Sequence, residues 1–324
     1  MTIRRRTTIA ASAGLAASAA LFRPAVAQQR FPSMFVFVPA GPGGGWDGLG
    51  RAIEQASRAA GLVGSFQFEN VGGAGGAVGL PRFVGQRRGR GDAIMVAGAV
   101  MVGSLITNRT PVGLKDVTPV ARMTTEPGVI VVPASSPFQN LQDFLNALRA
   151  NPGAVSVGGG SAGGIDHITL GLILKALGKN AREASYVAFA GGGPAQAAIL
   201  GAQVRAGISG VSEFSEQIKA GRMRALATTG ETRSLEGVPT LKQSGMDIVI
   251  GNWRGVFGAP GINANQRQAL TDWMTALHAS SQWREILERQ GWDDAFLTGT
   301  AFEEFLRRDQ AETEQVLKDI GLAS

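Results

Sequence analysis

Residues 38–47, with the sequence Val-Pro-Ala-Gly-Pro-Gly-Gly-Gly-Trp-Asp, join an apolar segment to an amphipathic one and decide how the chain begins to fold. The preceding segment, Met34 to Pro39, is short and apolar, as expected for a buried β-strand. The following segment, Asp47 to Ala60, places Leu49 and Ile53 on one face of a helix. The sequence therefore predicts a strand, a glycine-rich turn and a helix in succession.

The same unit recurs along the chain, with glycine clusters at Gly43, Gly72, Gly158 and Gly191. Glycine makes up 46 of the 324 residues, about twice its usual share of roughly 7%. Short apolar segments that alternate with helical patterns are typical of an α/β fold, and a chain of this length usually forms two domains. We therefore predict an α/β protein of two domains.

The glycine turns have a direct chemical consequence at the helix starts. Backbone amides in the first turn of a helix have no partner within the helix, and the helix dipole adds partial positive charge there. A glycine turn lets a ligand approach those amides closely. Several such turns at the carboxyl ends of strands in two facing domains would form an anion-binding cleft. The alternative is that the glycines only permit tight turns.

The first glycine cluster also satisfies the dinucleotide-binding pattern G-x-G-x-x-G, at Gly43–Gly48. Glu69 ends the next strand, 21 residues after Gly48, where such folds carry an acid for the ribose. Pro42 stretches the turn, and the bulky Trp46 occupies a position where backbone should meet pyrophosphate. An exported NAD-dependent oxidoreductase that uses this loop remains an alternative.

The third glycine cluster satisfies the nucleophile-elbow pattern G-x-S-x-G, with Ser161 at its centre. A hydrolase would also need an acid and a histidine that orient each other. Asp166 and His167 are adjacent, so on a helix they point about 100° apart. His278 is the other candidate base, but its pattern is that of an ordinary helix. An exported serine hydrolase that uses Ser161 is a second alternative, and the simpler role of this hydroxyl is a hydrogen-bond donor or helix cap.

The composition excludes several other classes of function. The chain has no cysteine, so a disulfide scaffold, a Cys-ligated zinc site and a thiol nucleophile are ruled out. With two histidines we expect neither a metal site nor a cofactor. The net charge of +6 falls to +2 without residues 1–27, which hold four arginines and no acid. We therefore expect no nucleic-acid partner.

Residues 1–27 have the pattern of a signal peptide. Arg4-Arg5-Arg6 is a charged start, Ile9 to Phe22 is an uncharged apolar stretch, and Ala25-Val26-Ala27 is a cleavage site. The apolar stretch is 14 residues long, whereas a spanning helix needs about 20. The arginines followed by Thr7-Thr8 also allow a twin-arginine signal. We predict a periplasmic protein whose mature chain starts after Ala27.

Arg254 lies in the segment Asn252-Trp253-Arg254-Gly255, between the second and third parts of the chain. Its planar guanidinium suits a carboxylate, so it is a candidate ligand contact. A salt bridge between domains is the alternative, and the sequence favours neither.

At these residues the chain resembles the extracytoplasmic solute-binding proteins of tripartite tricarboxylate transporters, also called the Bug family. The resemblance covers essentially all of the mature chain, and the order and spacing of its pieces are specific. The Gly-Gly-Gly-Trp-Asp and Asn-Trp-Arg-Gly forms are similar to the tricarboxylate-type branch. The pieces are residues 38–47, 69–76, 159–167, 200–204, 220–227, 238–241 and 252–255.

The resemblance implies a type II periplasmic binding protein fold, a Venus flytrap with the ligand in the cleft between two domains. It implies no catalysis, and its ligand is a small carboxylate, a tricarboxylate such as citrate or a related organic acid. It also implies delivery to a membrane permease of two subunits, and we expect a monomer. The pocket positions carried over by motif are Gly43, Gly44, Trp46, Asp47, Gly73, Ala74, Ser161, Ala162, Gly163, Asp166, His167 and Ala190.

The domain boundaries are predicted at the points where the repeating pattern restarts. Domain 1 is expected to comprise residues 31–126 and 254–324, and domain 2 residues 127–253. The chain then crosses between domains near Glu126-Pro127 and near Trp253. These two crossings form the candidate hinge.

Overall fold

The computed structural model describes residues 31–323, so the predicted signal peptide lies outside the described part of the chain. None of the described helices is both long enough and apolar enough to cross a membrane. The strands are β1 (Phe31–Val38), β2 (Val63–Asn70), β3 (Ala93–Gly98), β4 (Thr118–Thr125), β5 (Gly128–Pro133), β6 (Ser156–Gly159), β7 (Ser185–Ala188), β8 (Ala206–Gly210), β9 (Met223–Thr228), β10 (Arg254–Gly258) and β11 (Asp293–Thr298). The α-helices are α1 (Gly45–Ala59), α2 (Gly79–Gln86), α3 (Ala99–Thr107), α4 (Leu141–Ala150), α5 (Ile165–Ala176), α6 (Gly192–Leu200), α7 (Val211–Lys219), α8 (Ala264–His278), α9 (Ser281–Gln290) and α10 (Gly299–Asp319).

The strands form two mixed sheets with the same pattern of parallel and antiparallel neighbours. The first sheet has the order β11-β4-β10-β3-β1-β2, and the second has the order β7-β6-β8-β5-β9. In the first sheet β1 lies parallel between β2 and β3, and β10 is antiparallel to both β3 and β4. In the second sheet β6 lies parallel between β7 and β8, and β5 is antiparallel to both β8 and β9. The prediction of an α/β fold is confirmed.

The chain passes between the two sheets twice. The first sheet takes its strands from residues 31–125 and 254–298, and the second takes its strands from residues 128–228. The two passages lie side by side and are joined by a hydrogen bond of 2.8 Å from the Asn252 amide to the Glu126 carbonyl. The domain boundaries at residues 126 and 254 follow these passages and remain a prediction.

Each sheet has its own apolar core. Around the first sheet the core includes Phe37 together with Trp273 and Trp283 from α8 and α9. A separate core under the second sheet includes Phe144 from α4 and Leu170 from α5. Two cores of this kind are expected when each layer of helices covers its own sheet.

Local sequence signals explain several of the element ends. Asn140 caps α4, with its side chain accepting a 3.0 Å hydrogen bond from the Asp143 amide. Pro81 lies in the first turn of the short helix α2, where a missing N–H has little consequence. Strands β4 and β11 and helix α7 were not predicted from the sequence.

Helix α10 connects the two halves of the molecule. It begins beside the first sheet, and its last turn packs against the second half through a small apolar cluster. Leu317 of this helix and Ile320, just after its end, belong to that cluster together with Ile168 of α5 and Ala181. The Lys175 ammonium lies 3.4 Å from the Asp319 carboxylate at the same place.

Candidate functional site

A small cavity lies between the two sheets, where the starts of several helices meet. Its volume is about 50 Å³, compared with the roughly 10–15 Å³ that one water needs. The first turns of α1, α3, α5, α6 and α7 all contribute to its walls or lie directly behind them. The lining residues are Pro39, Ala40, Gly44, Gly45, Trp46, Gly73, Gly75, Val100, Gly160, Ser161, Asp166, Ala190, Gly191, Gly192, Ser209, Glu213, Asn252 and Arg254.

The loops of the two halves touch each other around this cavity. The Gly41 amide donates to the Ala190 carbonyl at 3.4 Å, and the Ser104 hydroxyl donates to the Ala162 carbonyl at 3.3 Å. Gly75 has φ of +59°, and a Cβ there would lie 2.1 Å from the Ser104 hydroxyl oxygen. Glycine is therefore required at this position both for its backbone conformation and for the close approach. The two halves of the chain are therefore in direct contact around the cavity.

Arg254 is buried at the edge of the cavity and is paired with a buried acid. Its side chain is 1% exposed and forms a salt bridge with Glu126, which is also 1% exposed. The other Glu126 oxygen, Oε2, accepts a 2.8 Å hydrogen bond from the Ser212 amide. The Arg254 Nη1 atom is buried and has no hydrogen-bond partner within residues 31–323. The guanidinium is thus part of an internal ion pair and still offers one free donor where it lines the cavity.

Glu213, in the first turn of α7, is a second charged residue that lines the cavity. Its Oε1 accepts a 2.8 Å hydrogen bond from the Gly45 amide at the start of α1, and its Oε2 accepts one of 2.7 Å from the Ser209 hydroxyl. The Arg254 Nη2 atom lies 3.8 Å from Oε2. A carboxylate at a helix N-terminus is stabilised by the dipole. Glu213 therefore joins α1, beside the first sheet, to α7, beside the second.

Asp166, in the first turn of α5, is the third carboxyl group at the cavity. It is 5% exposed, and its Oδ2 accepts a 2.8 Å hydrogen bond from the Gly160 amide. Burial raises the pKa of Asp166 from 3.8 to about 7, and the nearby charge of Glu213 acts in the same direction. The Gly160 hydrogen bond and the Arg254 charge act against this rise. Asp166 is therefore partly protonated near neutral pH.

The structure brings one set of the predicted site residues together at the cavity and leaves another set beside it. The predicted residues that line the cavity are Gly44, Trp46, Gly73, Ser161, Asp166, Ala190 and Arg254. The predicted residues that are not part of its lining are Gly43, Asp47, Ala74, Ala162, Gly163 and His167. A ligand contact for any of these residues remains a prediction.

Two residues of the second set organise the loops that form the walls. Asp47 accepts hydrogen bonds from the Gly43 amide and from the Asn70 side chain, both at 3.1 Å. His167 accepts a 3.1 Å hydrogen bond from the Gly163 amide at its Nδ1. The ring of this histidine stacks on Tyr186 at 4.2 Å, and burial lowers its pKa to about 4.

The geometry does not support the two enzymatic alternatives. For a hydrolase, the base for Ser161 would be His167 or His278. The first commits Nδ1 to a backbone amide, and the second bonds Asp294 at 2.8 Å, away from the cavity. For an oxidoreductase, the acid expected at the ribose is Glu69, which instead pairs with Arg82 and Arg87. Within the described range, no three His, Cys, Asp or Glu side chains converge to hold a metal ion.

Sequence reasoning missed several residues of the site, and Glu213, Glu126 and Asn252 are the most important of these. Glu213 had a recognisable signal, since it follows the end of a strand by three residues and lies in the first turn of the next helix. Asp47 and Asp166 likewise lie in the first turn of a helix that follows a strand. Glu126 and Asn252 had no such signal, because their role depends on the two chain passages lying side by side.

Two sheets with matching order, two chain passages and a cavity between the halves are features of two-domain solute-binding proteins. A family model confirms this class. The model of the tripartite tricarboxylate transporter family receptor matches residues 55–322, and the chain belongs to that family. The family's receptors are extracytoplasmic and bind solutes, so the chain is a binding protein and not an enzyme. The resemblance inferred from the sequence motifs is confirmed.

Relatives and solved structures agree with this assignment. The chain is 28% identical to the UPF0065 protein in the tcbD-tcbE intergenic region of Pseudomonas sp. (strain P51), over 81% of this chain and 79% of that protein. It is 26% identical to BugT of Bordetella pertussis, over 70% of this chain and 71% of that protein.

Two solved structures from Rhodopseudomonas palustris share the fold and carry organic acids. MatC with bound malate is 21% identical with a TM-score of 0.76, covering 88% of this chain and 98% of that chain. Rpa4515 with adipate is 22% identical with a TM-score of 0.80, covering 90% of this chain and 98% of that chain. At these identities the likeness establishes the fold.

Proposed function

We propose that this chain captures a small carboxylate, a tricarboxylate such as citrate or a related organic acid, between its two domains and delivers it to a membrane permease of two subunits. The observation that supports this most directly is the meeting of several helix starts at one cavity. Helix N-termini offer unpaired amides and partial positive charge, which suit a carboxylate. The organic acids in the R. palustris structures are consistent with this ligand class.

The free donor of Arg254 gives the proposal a specific anchor. Arg254 lines the cavity, and its Nη1 is buried and has no partner in the described chain. A buried donor without a partner is destabilised by lost hydration, and a ligand oxygen would remove that penalty. We place the ligand against this atom and the glycine loops at Gly44, Gly73 and Ala190.

The remaining features of the proposal concern the whole molecule. Domain 1 consists of residues 31–126 and 254–324, and domain 2 of residues 127–253. The mature protein is a periplasmic monomer from which residues 1–27 have been removed. Closure is driven by a ligand that contacts both domains, because such a ligand binds the closed state more tightly.

A thermal-shift screen of the purified mature protein tests the ligand class. At 100 times its Kd, a ligand of the native state adds about 2.7 kcal/mol of stability. At least one small organic acid should therefore raise the melting midpoint by several degrees, and amines and neutral sugars should not. Stabilisation by sugars with no response to any organic acid would contradict the proposal.

A further inference from the structure

The cavity already holds carboxyl groups of the protein where a ligand anion would be expected. Glu213 accepts the Gly45 amide at the start of α1, and it approaches the start of α6 so closely that a Cβ on Gly192 would lie 2.1 Å from its Oε1. Asp166 accepts the Gly160 amide before α5. Three of the helix starts around the cavity, those of α1, α5 and α7, are thus served by the protein's own acids, whereas α6 has no side-chain cap and no acid in its first turn.

The balance of charge around the cavity is unfavourable for a highly charged anion. Glu213 and Asp166 line the cavity, Glu126 lies behind it, and the positive charge that lines the cavity belongs to Arg254. Because Glu126 neutralises the guanidinium, Glu213 lines the cavity without a full counter-charge, and the ionised fraction of Asp166 adds to its negative charge. Like charges at short range repel strongly where water is excluded. A ligand with several ionised carboxylates would meet this repulsion as well as the attraction of the helix dipoles.

Two buried polar atoms of residues that line the cavity lack a partner among the described residues, and they suit a ligand that has both a hydrogen-bond acceptor and a hydrogen-bond donor. Arg254 Nη1 is a donor and Asn252 Oδ1 is an acceptor, and both are buried without a partner among the described residues. Both residues line the cavity and are more than nine-tenths buried. Polar atoms buried in this way are normally hydrogen-bonded. A complementary ligand therefore presents an acceptor to Arg254 and a donor to Asn252 and the neighbouring carboxyl groups.

We propose that Glu213 determines the ligand specificity of this site by selecting a carboxylate of low net charge that also carries a hydrogen-bond donor. The donor is a hydroxyl or an ammonium group, and Glu213, Asp166 and Asn252 accept from it. Acids of the same skeleton without such a donor leave these acceptors unpaired and place like charges together. The inference rests on the proposed function, since it narrows the class of carboxylate that the cleft takes.

Calorimetric titration with acids of matched skeleton tests the role of Glu213. Succinate, malate and aspartate share four carbons and differ at one position by hydrogen, hydroxyl or ammonium, and propionate, lactate and alanine form the same series on three carbons. Tricarballylate and citrate extend it to six carbons and three carboxylates, and because of their higher charge both should bind more weakly than the best acid of the shorter series. In at least one series the wild-type protein should bind a donor-bearing acid at least ten times more tightly than its unsubstituted counterpart. The hydroxyl and ammonium members of that series distinguish the two kinds of donor.

The variant Glu213→Gln should reduce this preference to about threefold or less, because the unsubstituted acid gains affinity and the donor-bearing acid loses it. Glu216→Gln is the matched control, since Glu216 lies three residues further along α7 and is exposed at its pairing with Lys219. The control should keep the wild-type preference. Circular dichroism and the unliganded melting midpoint show that both variants are folded.

Several outcomes would overturn the inference. Equal affinity for substituted and unsubstituted acids in every series would remove the donor requirement. If Glu213→Gln raised the affinity for all acids equally, Glu213 would only compete with the ligand for the anion site and would not select among ligands. If no acid in any series bound, the proposed function itself would be refuted.

Discussion

The buried pair of Arg254 and Glu126 leads to a quantitative prediction about stability. In Arg254→Ala the Glu126 carboxylate would keep its burial and lose its counter-charge. Removing one partner of a buried ion pair usually destabilises a protein by about 3–5 kcal/mol, because an uncompensated charge is left inside. We expect a loss of that size in the unliganded protein, which is a large part of a typical total of about 5–15 kcal/mol.

A double variant separates the contribution of the pair from the penalty of breaking it. Replacing both partners with apolar residues of similar volume, as in Arg254→Met with Glu126→Leu, removes the stranded charge. Such replacements are often close to neutral, so the double variant should recover most of the stability lost in the single one. Arg284→Ala on the exposed surface of α9 is the control and should change stability by no more than about 0.5 kcal/mol.

Urea unfolding followed by tryptophan fluorescence and by circular dichroism measures these differences. A loss below about 1 kcal/mol in Arg254→Ala would refute the assignment of a buried, charge-dependent pair. The same would follow if the double variant were as unstable as the single one. Ligand affinity of the stable double variant then tests the free Nη1 donor, and its loss should weaken binding by roughly 2–4 kcal/mol.

Two further predictions concern residues beside the cavity. Burial raises the pKa of Asp166 to about 7 and lowers that of His167 to about 4. Between about pH 4 and 7, Asp166 therefore binds more protons in the native state than in the unfolded state. Its contribution lowers the free energy of unfolding as pH rises, by about 4 kcal/mol in total. The histidine has the opposite effect between about pH 4 and 6.5. Relative to the wild type, Asp166→Asn should thus gain stability in urea unfolding as pH rises from about 4 to 7, and a difference that does not change with pH would contradict the assignment. Gly192→Ala should push the Glu213 carboxylate out of place, since the added Cβ would lie 2.1 Å from it. Calorimetry should then give the same altered ligand preference as Glu213→Gln, and an unchanged preference would count against the role of that carboxylate.

The parts of the fold that follow the glycine turns could be predicted from the sequence. Strand β5 is apolar throughout, β1 is apolar from Met34 to Val38, and helices such as α5 begin directly after a glycine cluster. Strand β4 was missed because Pro119 and Arg122 interrupt its apolar pattern, and strand β11 because it begins with Asp293 and Asp294. Both strands owe their structure to the neighbours they pair with, which a local pattern does not reveal.

The glycine loops of the site were also predictable, whereas its charge balance was not. The helix-start chemistry of the Ser161 loop follows from a local motif. The pairing of Arg254 with Glu126 joins residues 128 positions apart, and no spacing rule connects them. Sequence reasoning left the role of Arg254 open between a ligand contact and a salt bridge. The structure pairs the guanidinium internally and leaves one of its buried donors without a partner in the described chain.

The position of β10 sets the order in which the molecule can be assembled as its chain is synthesised. Strand β4 pairs with β10 and β11 within its sheet, and β10 separates it from β3. Until residues 254–298 emerge, β4 has neither neighbour and β3 keeps an open edge, so the first sheet is incomplete for most of synthesis. The second sheet uses the continuous stretch 128–228 and needs no later strand. Because distant pairings form slowly and open edges promote aggregation, the N-terminal strands depend longest on protection from other chains.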